Sequence, residues 1–575
     1  MGKFKAIFLS STVFILAILL YTRITNLSWG LPLPFHPDER NMAVAIQNLS
    51  CQLLGDNFDL RNCFNPQFFA YGQFPLYVSY FIVQVIHFFS NTFGQAVTSV
   101  EATWSLRLLS VINSVLLFIV SIKIGINLYK KDRDTQRFLL FIVLSLLVIY
   151  SPALIQFSHF GTTETILMFC YLAITLFSLS FINNRFNAIS LLFIGLIIGI
   201  AVATKVSSVI FLALPAFSIF YGSINRDIFK FMRSLILNLS LLVIFSGLFS
   251  VLLSPQNVIS SESFLSSMGY ESDVALGKYI PFYSRQFIES MPVVFQVTRV
   301  FPYALGLPVF LLAILGFIFL PRTKEINILR LAFLIYFLPS SFIFAKWTRF
   351  MAPVFPILVL FAAIFIYEVY KKVRSNNVLS AMLIIMLVTA STVPGLAYLS
   401  VYNNKDVRLV ASEWMNKNLP QNSLILSETA NVVDIPIPDN QADKKNFKVI
   451  SFNFYDLDEN EELQGELSEY LESADYVLIP SRRVFANYTC LKDNLKIGYF
   501  KTLCEKLNKE YPIINGYYKN LFKGSGSFEK IKEFTSYPTF SLFGKELFSF
   551  NDELAEEGWT VFDHPVIRLY KRSAN

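Results

Sequence analysis

Four short clusters place ionisable side chains beside long apolar runs. They are Phe35-His36-Pro37-Asp38-Glu39-Arg40, Ser158-His159-Phe160-Gly161-Thr162-Thr163-Glu164, Ala203-Thr204-Lys205 and Lys346-Trp347-Thr348-Arg349-Phe350. Arg107 stands at the end of a further run. Charge at membrane depth is costly, and its default reading is functional. The carboxylates of Asp38, Glu39 and Glu164 can take a proton. Lys205, Arg349 and Arg107, with His159, can neutralise a phosphate. Together they have the makeup of a site that handles a lipid-linked phosphate. Each group also has a plainer reading. Asp38 after Pro37 fits the N-cap of a helix over Glu39–Leu49, and Thr162 or Thr163 fits a cap with Glu164 in the first turn. Lys205 can snorkel, and the cations can anchor to lipid headgroups. Spacing alone leaves both readings open.

The elements that must hold these groups are membrane helices. Apolar residues make up 54% of the 575 residues and charged residues 15%, with a mean hydropathy of +0.50. That composition excludes disorder, collagen, coiled coil and nucleic-acid binding. About eleven runs approach the ~20 residues that cross a bilayer. They centre near Ile15, Leu117, Leu146, Ala173, Ile194, Leu212, Val243, Leu312, Leu334, Phe361 and Met386. The first resembles a signal peptide, but no small-residue cleavage pattern follows, so a retained helix is expected. Charge then divides the chain. Residues 401–575 hold 47 of the 89 charged side chains and are net −5, whereas the front part is net +12. The expected organisation is a transmembrane domain over 1–401, with a first outer loop at 23–104, and a soluble α/β domain over 402–575.

Placing the N-terminus inside puts 17 Lys and Arg on the inner side and 10 on the outer, although the outer loops are longer. Eleven crossings then leave the C-terminal domain outside. Phe74 to Ser90 is nearly long enough to span, yet a crossing there would reverse every later loop. It is expected to lie in the outer interface, which suits Pro75, Gln84 and His87. Cys51 with Cys63 and Cys490 with Cys504 share outer segments, so two disulfides are expected if the compartment is oxidising; five unrelated thiols are the alternative. Motifs of soluble enzymes are missing: there is no G-x-x-x-x-G-K-[ST], no H-E-x-x-H and no G-x-S-x-G. Only four histidines are present, which disfavours a His-rich zinc site.

In this order, the loops resemble those of polytopic glycosyltransferases of the C-type (GT-C) fold, in the branch of protein mannosyltransferases and aminoarabinose transferases that use a polyprenyl-phosphate sugar. The matching pieces are HPDE at His36–Glu39, NPQFFAYGQFPLYVSY at Asn65–Tyr80, Arg107, SHFGTTET at Ser158–Thr165, ATKVS at Ala203–Ser207, RFMAPVFP at Arg349–Pro356 and FDHP at Phe562–Pro565. The resemblance implies that the first outer loop forms interfacial helices over the active site and that Asp38 is the catalytic carboxylate. Glu164 stands where the family usually has Asp. Gly72-Gln73-Phe74 precede Pro75 where two prolines are usual.

The expected activity is transfer of a sugar from a polyprenyl-phosphate donor to an extracytoplasmic glycan, lipid or protein acceptor, with inversion, in the plasma or inner membrane. Asp38, with Glu39 and Glu164, would form the catalytic group. Lys205, Arg349, Arg107 and His159 would hold the donor phosphate. No cofactor is required for a monophosphate donor, since fixed cations can neutralise it, although the adjacent Asp38 and Glu39 leave a divalent ion possible. The rival reading is a transporter or flippase of lipid-linked or small substrates, which would be expected to show inverted repeats and mid-membrane polar groups. No repeat is visible in the sequence.

Overall fold

The apolar runs fold as helices in the order expected. The computed structural model describes all residues except 1, 34, 50–63, 93, 184–186, 225–226, 374–376, 429–434, 437–446, 491–497 and 574–575. Helix α1 (Gly2–Ile24) is followed by α2 (Pro37–Gln47) and α3 (Phe74–Phe89) in the first loop. Then come α4 (Ser99–Leu128), α5 (Asp134–Ile149), α6 (Pro152–His159), α7 (Glu164–Phe181) and α8 (Ala188–Thr204). A 3-10 turn over Val206–Leu212 leads into α9 (Ala213–Ser223), and α10 (Ile228–Leu253), α11 (Gln256–Ile259) and α12 (Ser261–Leu276) follow. Later helices span Leu307–Phe319, Lys324–Phe342, Phe355–Val373 and Asn377–Asn403. Among the described residues eight helices are long and apolar enough to cross a membrane, and two bent pairs raise the number to ten. The chain is a polytopic helical membrane protein. The shorter apolar helices are α3 and α8.

The bends have local causes. Helices α5 and α6 meet at 53°. Pro152 cannot donate an amide, so the last carbonyls of α5 lose helical partners. Arg23 supplies donors instead: it bonds the carbonyls of Val148 and Ile149, both at 3.0 Å, and Ser114 Oγ at 2.9 Å. Gly395 lets the last membrane helix pass this bend, because a Cβ there would lie 1.8 Å from the Tyr150 carbonyl oxygen. Helix α3 packs on α2 and α4 around Met42, Ile46, Leu76, Val83 and Leu106, a cluster separate from the main membrane core.

Beyond the last membrane helix a helix over Val407–Asn418 comes first, and strands follow. The main sheet has the order β2 (Lys448–Phe452), β1 (Leu424–Glu428), β3 (Tyr476–Ile479), β7 (Ile567–Arg572), β4 (Phe528–Phe534). The β1 pairings with β2 and β3 are parallel, and those of β7 are antiparallel. A hairpin of β5 (Thr539–Leu542) and β6 (Lys545–Ser549) lies apart. Before β7 a short helix spans Glu557–Val561, and the strand starts only at Ile567. Glu556 accepts the Gly558 amide and so begins that helix. Cys490 and Cys504 form the expected disulfide, while the Cys51–Cys63 pairing lies outside the described residues. Ala555 and Trp559 bury in the same core cluster as the membrane helices.

Candidate active site

Three of the four charged clusters line one cavity of about 350 Å³, and Lys205 of the fourth lies against the ring of Tyr71 in its wall. Asp38 comes from the first turn of α2, Glu164 opens α7, and Arg349 lies one residue into the helical stretch that starts at Thr348. Lys205 ends α8. The acids at helix N-termini and Lys205 at a C-terminus agree with the helix dipole, whereas Arg349 opposes it. Aromatic walls come from Phe68, Tyr71, Phe157, Phe160, Tyr283 and Trp347.

Asp38 is not the helix cap. Helix α2 begins at Pro37, two residues earlier than expected, and His36 occupies the capping position, its Nδ1 facing the Glu39 amide at 3.5 Å. Burial keeps His36 below the usual imidazole range, which leaves a neutral ring able to accept that amide. The Asp38 carboxylate is therefore free of the helix and ion-pairs with Arg349. Burial would raise its pKa, but Arg349, His36 and a hydrogen bond from Tyr71 hold it below the usual carboxylate value. The capping reading of the second cluster holds in position only. Thr163 occupies the cap with Glu164 in the first turn, but its hydroxyl caps no amide and donates to Glu164 Oε1 at 3.3 Å, and the Thr162 hydroxyl has no partner. Lys205 does not snorkel away: its ammonium lies 5.4 Å from the Tyr71 ring and 4.9 Å from that of Phe350.

Glu39 and Arg107 are brought together, but beneath the cavity rather than in its wall. Glu39 is fully buried and takes Arg107 Nε at 2.7 Å and Nη2 at 2.8 Å, and the Gly161 amide at 2.7 Å. Arg107 also donates to the carbonyls of Leu27 and Trp29. His159 stacks on Tyr402, with ring centroids 3.8 Å apart, and bonds the Thr25 and Ile155 carbonyls. These three residues link α1, α2, α4, α6 and the last membrane helix under the site. Adjacent residues on a helix point about 100° apart, so Asp38 and Glu39 diverge. Each already holds a cation, and they do not form a two-carboxylate metal seat. Among the described residues no group of three His, Cys, Asp or Glu side chains converges as a metal site.

The C-terminal domain closes the cavity, which sequence reasoning missed. Arg483, Glu556, Gly558, Trp559 and Phe562 line it, and the Phe562 ring sits 4.3 Å from that of His36. Arg483 pairs with Glu557 through Nη1, at 2.7 and 3.0 Å. Gln156 of α6 bonds the Trp559 carbonyl at 2.9 Å. Several buried polar atoms of the cavity residues have no protein partner: Thr162 Oγ1, Thr348 Oγ1, Arg349 Nε and Arg483 Nε. Unsatisfied buried donors are rare, and four around one cavity mark a place where a polar ligand would complete the bonding. The signal in the sequence was FDHP beside the acidic run Glu553–Glu557, in a domain where acids are too common to stand out.

Residues 290–435, about a quarter of the chain, match the model of the Alg9-like mannosyltransferase family. No curated protein matches the chain. Among solved structures the chain is similar to the apo form of the oligosaccharyltransferase from Archaeoglobus fulgidus, at 12% identity and a TM-score of 0.47, over 84% of this chain and 71% of that one. It is also similar to ArnT from Cupriavidus metallidurans bound to undecaprenyl phosphate, at 12% identity and a TM-score of 0.43, over 83% of this chain and 94% of that one.

Proposed function

We propose that the protein is an integral membrane glycosyltransferase that moves a sugar from a polyprenyl-phosphate donor to an acceptor hydroxyl. One observation carries the reading: the Asp38 carboxylate is released from helix capping and pairs with Arg349 in the lining of a cavity walled by aromatic rings at the ends of apolar helices. The match to a mannosyltransferase family over the Arg349 segment supports the reaction class. Aromatic faces suit a sugar, and Lys205 with Arg349 suits a phosphate. The acceptor oxygen attacks the anomeric carbon, its proton passes to Asp38, and the bond to the phosphate oxygen breaks. The lipid monophosphate leaves with its charge against Arg349 and Lys205. A single displacement inverts the anomeric centre. In the free enzyme Arg349 pairs with Asp38. A donor phosphate competes for that guanidinium and so releases the base when substrate is present.

Glu164 lies beside the cations and tempers their charge, while Glu39, Arg107 and His159 fix the helices that carry the site. The membrane domain ends with its last helix at Asn403, just past the expected boundary between 401 and 402, and the C-terminal domain lies on the outer side, as the asymmetry of Lys and Arg suggests. With α8 crossing and each bent pair as one span, the crossings number eleven, and α3 lies in the interface. A transporter is the weaker reading, because the ionisable groups sit at helix ends rather than within helices.

Asp38→Asn tests the proposal. It keeps the shape and can still bond Arg349, but cannot take a proton. The folded, detergent-purified variant should lose ~10²–10⁴-fold in sugar transfer from a polyprenyl-phosphate donor. Transfer at the wild-type rate would remove Asp38 from catalysis.

A further inference from the structure

The turn that presents Arg349 is held from the far end of the chain. Thr348 opens a helical stretch, Thr348–Val354, that runs on as Phe355–Val373. The first amides of a helix have no partner within it. Trp347 occupies the capping position and its side chain caps nothing. The missing acceptor is Glu556, whose Oε2 takes the Thr348 amide at 3.0 Å across 208 residues. Its other oxygen accepts the Gly558 amide at 2.8 Å and Gln286 Nε2 at 3.2 Å. The carboxylate is itself well anchored. The Glu556 amide donates to the Arg299 carbonyl at 2.9 Å, and Arg299 returns a bond to the Leu554 carbonyl at 2.8 Å. Arg482, just past β3, clamps the carbonyls of Glu553, Ala555 and Glu556.

Charge gives this contact a direction. Arg349 stands in the first turn of a helix, where the positive end of the dipole disfavours a cation. Asp38 offsets that on the cavity side. The Glu556 carboxylate offsets it on the helix start, and it is 2% exposed, so solvent screens it little. Without Glu556, the Thr348 amide loses its acceptor and the cation sits at an uncompensated helix N-terminus. The turn then has less to hold it in place.

We propose that Glu556 is a positioning residue for Arg349: through the Thr348 amide, the C-terminal domain sets where the cation of the cavity stands. The donor-phosphate role of that cation rests on the function proposed above. Glu556 also lines the cavity, but both of its oxygens are taken by the Thr348, Gly558 and Gln286 donors, so it acts through the turn.

The test is a double-mutant cycle of Glu556→Ala and Arg349→Ala in full-length protein in detergent, with a sugar-free polyprenyl monophosphate as the binding probe. Glu556→Ala should weaken binding by ~10- to 100-fold when Arg349 is present. In the Arg349→Ala background it should change nothing further. Glu556→Gln, which keeps an acceptor oxygen, should recover most of the affinity. Thr348→Pro removes the same bond from the other side, at a position where proline suits a helix start. It should reproduce the loss without altering the C-terminal domain, and it serves if Glu556→Ala does not fold. Equal losses with and without Arg349 overturn the proposal, as does wild-type affinity in Thr348→Pro. Melting temperatures of the same proteins separate the two claims. If the wild type binds no polyprenyl phosphate, the donor assignment falls. The positioning claim then stands only if Glu556→Ala lowers the melting temperature more with Arg349 present than without it.

Discussion

Asp38 and Arg349 set each other's chemistry. A carboxylate held below its usual pKa is ionised at neutral pH but is a weak base. Displacement of Arg349 by a phosphate would strengthen it at the moment of reaction. The sign of the pH effect follows. In the wild type Asp38 keeps its charge to a pH below the ordinary carboxylate value, because Arg349, His36 and Tyr71 oppose burial. In Arg349→Gln burial has less opposition, so the proton is retained to higher pH. The acid limb of the kcat/KM profile should move upward, alongside a loss of ~10- to 100-fold from the missing charged hydrogen bonds. A limb that stays in place would show that Arg349 does not govern Asp38. Most of these groups could be read from the sequence because charge beside an apolar run is conspicuous. Their partners could not. Nothing in the sequence tells that Glu39 turns away to Arg107. Nor does it tell that Asp38 yields the cap to His36. Both depend on whether the helix starts at Pro37 or two residues later.

At the scale of elements, the departure from the family pattern at Gly72-Gln73 has a physical reason. The loop crosses the turn that carries Lys205 so closely that the Gly72 amide bonds the Thr204 carbonyl at 2.9 Å. A Cβ on Gly72 would lie 2.0 Å from the Ala203 carbonyl oxygen, a backbone atom that cannot swing aside. Gln73 then pins the other side: its amide bonds Ser254 Oγ at 3.1 Å, its Nε2 bonds Asn257 at 2.6 Å, and its Oε1 accepts the Gln256 amide at 3.1 Å. The first loop is thus fastened at once to the end of α8 and to the corner between α10 and α11. Gly72→Ala should force the loop off the Lys205 turn, at a cost of about 1–3 kcal/mol. The Tyr71 ring would move away from the Lys205 ammonium. The expected outcome is a lower melting temperature together with a raised KM for the donor. A donor KM equal to the wild type's would mean that the loop does not set the Lys205 turn. The order of the helices was legible here because hydrocarbon thickness fixes the length of an apolar run. The loop path was not, since glycine and glutamine carry no periodic signal and act only through what they meet.

For the whole molecule, the jump in charge density near residue 400 coincides with the change from apolar helices to the sheet-containing domain, and it does not tell how firmly the two join. The last link of that join is His564, fully buried between two carboxylates: Nδ1 lies 2.5 Å from Asp563 Oδ1, and Nε2 lies 2.8 Å from Asp552 Oδ2. Asp563 Oδ2 also accepts the hydroxyls of Tyr398 and Tyr402, at 2.9 and 2.8 Å, from the last membrane helix. The imidazolium is therefore the counter-ion of a polar latch between the C-terminal domain and the membrane helices. A histidine in a chain with four was easy to notice, and the resemblance of FDHP singled it out. Its role was hidden because Asp552, Tyr398 and Tyr402 reach it only in the fold. Burial alone would lower the His564 pKa, but Asp552 and then Asp563 push it up to about 10. A group whose folded pKa exceeds the unfolded value of ~6.5 contributes its full stabilisation below that pH. The contribution fades as the pH rises through the folded pKa. Wild-type protein should therefore melt at progressively lower temperature as the pH is raised from neutral toward about 10. His564→Gln, which leaves two buried carboxylates without their cation, should be less stable near neutral pH by about 3–5 kcal/mol. The gap between the two proteins should close with increasing pH, because the wild type then loses the same charge. Taking the difference cancels the lysines and tyrosines that also titrate there. A gap that stays constant across the alkaline range would mean that His564 is neutral in the fold and the latch is held by hydrogen bonds alone.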